Sequence, residues 1–132
     1  MFTIGTGVGG GLVLNGRLYR GATGTASEVG HTLIGLDLEN GAPPHSGVFP
    51  QAGSLEVLAS GRALDHLADE AAKADANSFL GRRLTSEGGV TGHDAVDGAR
   101  VGDEASVRCL RILGERLGIG TSVVPRLYDK IR

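Results

Sequence analysis

Thr3-Ile4-Gly5-Thr6-Gly7-Val8-Gly9-Gly10-Gly11-Leu12-Val13 is the stretch on which the reading of this chain turns. Five glycines fall within seven positions, between two short apolar runs. Glycine places φ on either side of zero at little cost, so successive N–H groups can point into one concavity. Such a nest, with the Thr6 hydroxyl beside it, suits a phosphate group. A sharp hairpin corner uses the same residues, and the glycines alone leave both readings open.

Working outward, Phe2-Thr3-Ile4 reads as a short strand, and Leu12 to Tyr19 as a hairpin turning on Asn15-Gly16, the strongest short-range hairpin signal. Gly21 to Ser27 is small, polar and irregular, and Thr32 to Leu38 alternates as a further strand would. Residues 39 to 53 are rich in Gly and Pro and predict a loop. Ser54 is a plausible N-cap for a helix with Leu55, Leu58 and Ala59 on one face. Gly61 interrupts it, and Ala63, Leu64, Leu67, Ala68 and Ala71 resume the period. A short helix and a Gly88-Gly89 turn follow, and Thr91 with Asp94 has capping-box spacing. The last helix begins at Asp103-Glu104 and is expected to bury Val107, Leu110, Leu113 and Leu117; Gly118 marks a stop or bend, and Ile119 to Leu127 reads as helical again, interrupted near Pro125. The whole is an α/β chain, a β-hairpin and strands followed by helices, read as a single domain over residues 1–132.

Composition narrows the function classes. Glycine supplies 23 of 132 residues against an average of roughly 7%, as a turn-rich backbone requires. A net charge of −2, with no basic cluster beyond Arg82-Arg83, argues against a nucleic-acid partner. The absence of Trp and the scarcity of Tyr and Phe remove aromatic platforms for single strands. A single cysteine, Cys109, suits a reducing cytoplasm and excludes an internal disulfide. No run is apolar enough for a membrane partner.

Further motifs follow in a fixed order: Gly5 to Gly11, Asn15-Gly16, Arg20-Gly21-Ala22, Glu28-Val29-Gly30-His31, then Leu55-Glu56-Val57-Leu58-Ala59-Ser60-Gly61-Arg62-Ala63-Leu64. Ala99 to Asp103 and Leu117-Gly118-Ile119-Gly120 continue the series. The series resembles the ROK family of sugar kinases and sugar-responsive repressors, which includes bacterial glucokinases, and covers about residues 3 to 129. The resemblance implies a partial actin-like ATPase (ribonuclease H-like) domain, with this chain its second half. It implies that Gly5, Thr6, Gly7, Gly9, Gly10 and Gly11 lie against the phosphates of ATP, used with Mg²⁺. It also implies that Glu28, His31 and Glu56 hydrogen-bond a hexose or N-acetylhexosamine. Carboxylates suit that task because they accept paired hydrogen bonds from vicinal hydroxyls. Phosphoryl transfer needs positioning, Mg²⁺ and a carboxylate to take the proton of the attacking hydroxyl.

Three departures shape the functional expectation. The family's catalytic aspartate lies in an Asn-Asp motif upstream of the glycine loop, and this chain begins four residues before Gly5. No catalytic residue is therefore assigned, and the isolated chain is expected to be inactive as a glucokinase-like kinase. The family's terminal strand and glycine-rich adenosine contact follow an Asp near Asp129, and here the sequence ends at Arg132. The family's zinc loop follows its His with a cluster of cysteines, whereas here His31 is followed by His45, Ser46 and Ser54. Hydroxyls replace thiolates poorly on Zn²⁺, so no metal is expected. The alternative reading is a non-catalytic sugar-sensing module related to the family's repressors. In either case a sheet opened at Phe2 is expected to drive homo-oligomer formation.

Each motif also has a plainer explanation. Glu56 in a first helical turn is favoured by the helix dipole alone. Asp75-Ala76-Asn77 echoes the family's catalytic run but lies after Glu56 and reads as part of a peripheral helical region. His66 and Arg82-Arg83 read as solvated, His93 as part of a helix start, and Cys109 as a small buried apolar residue.

Overall fold

The computed structural model describes residues 1–35 and 49–129. The glycine-rich start forms an antiparallel pair, β1 (Phe2–Ile4) with β2 (Val8–Gly10), in the register Phe2–Gly10, Thr3–Gly9, Ile4–Val8. Gly5-Thr6-Gly7 is the turn between them, closed by Gly5 N–H donating to the Gly7 carbonyl at 2.9 Å. A second hairpin joins β3 (Val13–Leu14) to β4 (Arg17–Leu18). Asn15 (φ 51°) and Gly16 (φ 75°) make the left-handed turn expected of Asn-Gly. Of the expected strand over Thr32 to Leu38, the described residues 32–35 form only an isolated antiparallel bridge, Leu33 to Ser54, and residues 36–38 lie outside the described residues.

Five helices follow: α1 (Leu55–Ala59), α2 (Gly61–Ala74), α3 (Phe79–Glu87), α4 (Gly92–Arg100) and α5 (Glu104–Asp129). Ser54, Ser60 and Ser78 cap α1, α2 and α3 by accepting from the N–H three residues on. The break between α1 and α2 falls at Ser60, with Gly61 as the first residue of α2. Gly88, in the left-handed region, closes α3. At α4 the Asp94 carboxylate accepts from both the N–H and the hydroxyl of Thr91, each at 2.9 Å.

Leu64, Ala68, Ala72, Leu80, Ala95 and Cys109 form the buried centre of the helical part. A second cluster, Val8, Leu55 and Ala59, joins the hairpin to α1, and Leu113 of α5 packs against both. Two expectations for α5 are corrected. Val107 is exposed, and the buried stripe instead starts at Ser106, whose hydroxyl is satisfied by Asp103 at 2.7 Å. Gly98 makes room for Ser106, since a Cβ there would collide with its Oγ. The helix also continues through Gly118 and Pro125 to Asp129. Gly120 is buried because α1 lies against it, and a Cβ at that position would strike the Leu55 side chain. Packing against α1 offsets the roughly 1 kcal/mol that each helical glycine costs.

Candidate functional site

The glycine hairpin sits in the fold through contacts that depend on missing side chains. A Cβ on Gly7 would collide with the Glu56 carboxylate, one on Gly9 would lie 2.9 Å from Thr3 Oγ1, and one on Gly10 would lie 2.7 Å from the Val29 side chain. Gly61 N–H donates to the Gly5 carbonyl at 2.7 Å, tying the tip of the hairpin to the start of α2. Gly5 differs from these. A Cβ there would meet nothing within 4 Å, and its φ is not positive, so neither packing nor backbone conformation demands glycine. Thr6, beside it, is exposed. The open space beside Gly5 and the exposed Thr6 hydroxyl leave room for a group approaching from outside, while the Gly5 N–H and C=O are already bonded to Gly7 and Gly61.

Glu56 occupies the first turn of α1, and its Oε2 accepts from the N–H of Val8 at 2.9 Å. The carboxylate therefore joins α1 to the hairpin. Glu28 and His31 flank a single 3-10 turn, Val29–His31, closed by His31 N–H donating to the Glu28 carbonyl at 3.2 Å. That turn rests on β2 at Gly30, which is buried because a Cβ there would run into the Val8 carbonyl oxygen and lie 3.4 Å from Glu56 Cβ. Thr32, next in the chain, accepts from Leu55 N–H at 2.8 Å. The hairpin, the Glu28–His31 turn and the start of α1 thus meet around Val8. Glu28 and His31 themselves are exposed, and the His31 ring stacks on Phe49 with centroids 4.9 Å apart and planes 22° from parallel.

A cleft of about 520 Å³ opens beside the hairpin tip, lined by Thr6, Glu56, Ser60, Arg62, His66 and Arg116 among others. Arg116 is anchored from α5 by donating to the Leu58 carbonyl at 3.0 Å. Sequence reading missed Phe49, Arg62 and Arg116. For Phe49 the available signal was an aromatic beside Pro50 in a polar, breaker-rich loop; Arg62 stood inside the Leu55–Leu64 motif without a role of its own, and Arg116 carried no signal.

Other sequence candidates are structural. Asp75 ends α2 and accepts from Asn77 N–H at 2.8 Å, which accounts for the Asp-Ala-Asn run. His66 is exposed and lies 3.5 Å from Glu70. Arg82 donates to the Asn77 carbonyl, and Arg83 pairs with Glu87 and stands over the Phe79 ring. Cys109 is buried, its Sγ donating to the Leu67 carbonyl at 3.4 Å, and burial pushes its thiol above the ordinary range. Among the described residues no group of three or more His, Cys, Asp or Glu side chains gathers as a metal site, and His45 lies outside them. No described helix is long and apolar enough to cross a membrane.

A sequence profile of the ROK family matches residues 1–130. The chain belongs to the ROK family. It is 33% identical over 118 residues, 89% of its length, to a glucokinase from Halalkalibacterium halodurans. It is 41% identical over 83 residues, 61% of its length, to an N-acetylmannosamine kinase from Escherichia coli. It spans 34% and 26% of those proteins' lengths. Among solved structures, a ROK family glucokinase from Streptomyces griseus, in complex with glucose and AMPPNP, superposes with a TM-score of 0.75 at 34% identity. That match covers 97% of this chain and 40% of the glucokinase. The small sheets followed by helices are thus part of a larger ROK architecture.

Proposed function

We propose that this ROK chain forms the sugar- and phosphate-contacting part of an ATP-dependent sugar kinase built on the actin-like ATPase fold. The observation that carries the reading is the Glu56 carboxylate held on the glycine hairpin by the N–H of Val8. One residue thereby couples the expected phosphate loop to the expected sugar ligands. With Oε2 engaged there, Oε1 of Glu56 remains to accept from a sugar hydroxyl. Glu28 offers a second carboxylate and His31 a ring nitrogen from the adjoining turn, so three groups set which hydroxyls are recognised. At the hairpin tip, the missing side chain of Gly5 leaves a phosphate room to approach and the exposed Thr6 hydroxyl orients it, while Gly7, Gly9 and Gly10 keep the hairpin seated. ATP with Mg²⁺, when bound, supplies the transferable phosphoryl group and neutralises its charge.

The substrate class is a hexose or N-acetylhexosamine. Support comes from the glucokinase and N-acetylmannosamine kinase relatives and from the neighbour bound to glucose and AMPPNP. Calorimetric titration of the chain with glucose, N-acetylglucosamine and N-acetylmannosamine tests it, with AMPPNP titrated separately. Saturable heat with one of the sugars, lost in Glu28→Ala, is the expected result. A folded sample that gives no heat with any of them overturns the reading. Sugar binding without AMPPNP binding would favour the non-catalytic sensor.

A further inference from the structure

We infer that Phe49 is a positioning residue for His31: its ring fixes the imidazole in the orientation that presents a nitrogen to the sugar. The inference rests on the sugar-binding reading above and adds a residue that neither the motifs nor the relatives' names assign. His31 ends a 3-10 turn and is exposed, so burial does not fix rotation about its side-chain bonds. Among the described residues its ring is held by the near-parallel stack on Phe49, at 4.9 Å and 22°. Phe49 is itself 59% exposed and fills no core, so burial does not account for an aromatic residue at this position.

The backbone on both sides of the stack is tied together. Leu55 N–H donates to the Thr32 carbonyl at 2.8 Å, and Ile34 and Gly35 N–H both donate to the Gly53 carbonyl, at 2.9 and 3.0 Å. Ser54 N–H in turn donates to the Gln51 carbonyl at 3.1 Å, two residues after Phe49. Gly35 lets these segments approach, since a Cβ there would lie 2.8 Å from the Leu58 side chain and 3.3 Å from Gly53 Cα. His31 and Phe49 thus stand on two strands of chain whose separation is fixed, and their rings meet without either being buried.

The test is glucose titration of the wild-type chain and of Phe49→Leu, Phe49→Trp, His31→Ala and the His31→Ala/Phe49→Leu double variant. Proton NMR of the His31 ring is recorded alongside. Leucine keeps apolar volume and removes the ring, so a folded variant is retained. Phe49→Leu is expected to weaken glucose binding roughly two- to tenfold, the range of an aromatic pair, and to abolish the ring-current shift of the His31 protons. Phe49→Trp restores both, and in the double variant loss of Phe49 adds nothing to His31→Ala.

Unchanged glucose affinity in Phe49→Leu, with binding still weakened in His31→Ala, overturns this inference and leaves the sugar reading intact. A further loss in the double variant beyond His31→Ala overturns it too, because Phe49 would then touch the sugar directly. No glucose binding by the folded wild type, or undiminished binding in His31→Ala, overturns the inference together with the role of His31 on which it rests.

Discussion

A methyl group added at Gly30 would run into the carbonyl oxygen of Val8, whereas one added at Gly5 would meet nothing within 4 Å. The two glycines therefore answer to different pressures, one to packing and one to approach from outside. Gly30→Ala is expected to destabilise by about 1–3 kcal/mol, because a backbone carbonyl cannot rotate away as a side chain would. The urea midpoint measures it. Gly5→Ala is expected to change stability by no more than about 0.5 kcal/mol, like other substitutions into open space. Its effect appears instead as weakened AMPPNP binding in the calorimeter. Equal affinity in Gly5→Ala and wild type would remove the phosphate role from this position.

Helix ends carry much of the order in the second half of the chain. Asp103 lies just before α5, accepting from Ser106 N–H at 2.9 Å and from the Ser106 hydroxyl, and it also accepts from Phe79 N–H at the start of α3. Burial pushes its carboxyl up, but the bonds from Phe79 and Ser106 outweigh that and hold it below its ordinary value of 3.8. A carboxyl lowered in the folded state contributes stability that is complete above the unfolded value and is lost as pH falls through the folded one. Asp103→Asn is expected to cost about 1–2 kcal/mol near neutrality. It should also shed less stability than wild type below pH 3.8. Urea midpoints from about pH 6 to about pH 2 test both claims. Parallel curves for the two proteins would contradict them.

At this scale the sequence was legible wherever a signal was local. Asn15-Gly16, Ser54 and the Thr91–Asp94 pair each specify their own geometry through bonds that span a few residues. Gly118 and Pro125 suggested interruptions because helix propensity is a local quantity, whereas α5 runs through both and packs Gly120 against Leu55 of α1. Ser106 was missed at a buried position because its hydroxyl is matched by Asp103, which an apolar period does not register. The site divides in the same way. The glycine run and Glu28–His31 announce themselves as motifs, but the bond from Val8 to Glu56 spans 48 residues, and the His31–Phe49 stack requires two segments to be folded side by side.

For the molecule as a whole, the edge of β1 matters most. Met1 and Gly11 exchange hydrogen bonds, at 2.8 and 2.9 Å, so by antiparallel alternation the N–H and C=O groups of Phe2 and Ile4 point away from β2. Among the described residues β2 is the one strand paired with β1. Phe2 and Ile4 are placed symmetrically about Thr3, so two copies could pair through this edge with Phe2 opposite Ile4 in both directions. The edge carries no charge and no proline to discourage pairing. Sedimentation is expected to show mass rising with protein concentration, and Ile4→Lys is expected to hold the chain as a monomer. A wild type that stays monomeric throughout contradicts this.

The ties from Thr32, Ile34 and Gly35 to Gly53 and Leu55 have a practical consequence as well. They lace the segment that follows His31 to the segment that leads into α1, so Glu28, His31, Phe49 and Glu56 stand on one backbone frame. Main-chain bonds of this kind do not depend on side-chain identity. The neighbouring side chains can therefore be exchanged, to retune which hydroxyls are recognised, without unlacing the frame that carries them.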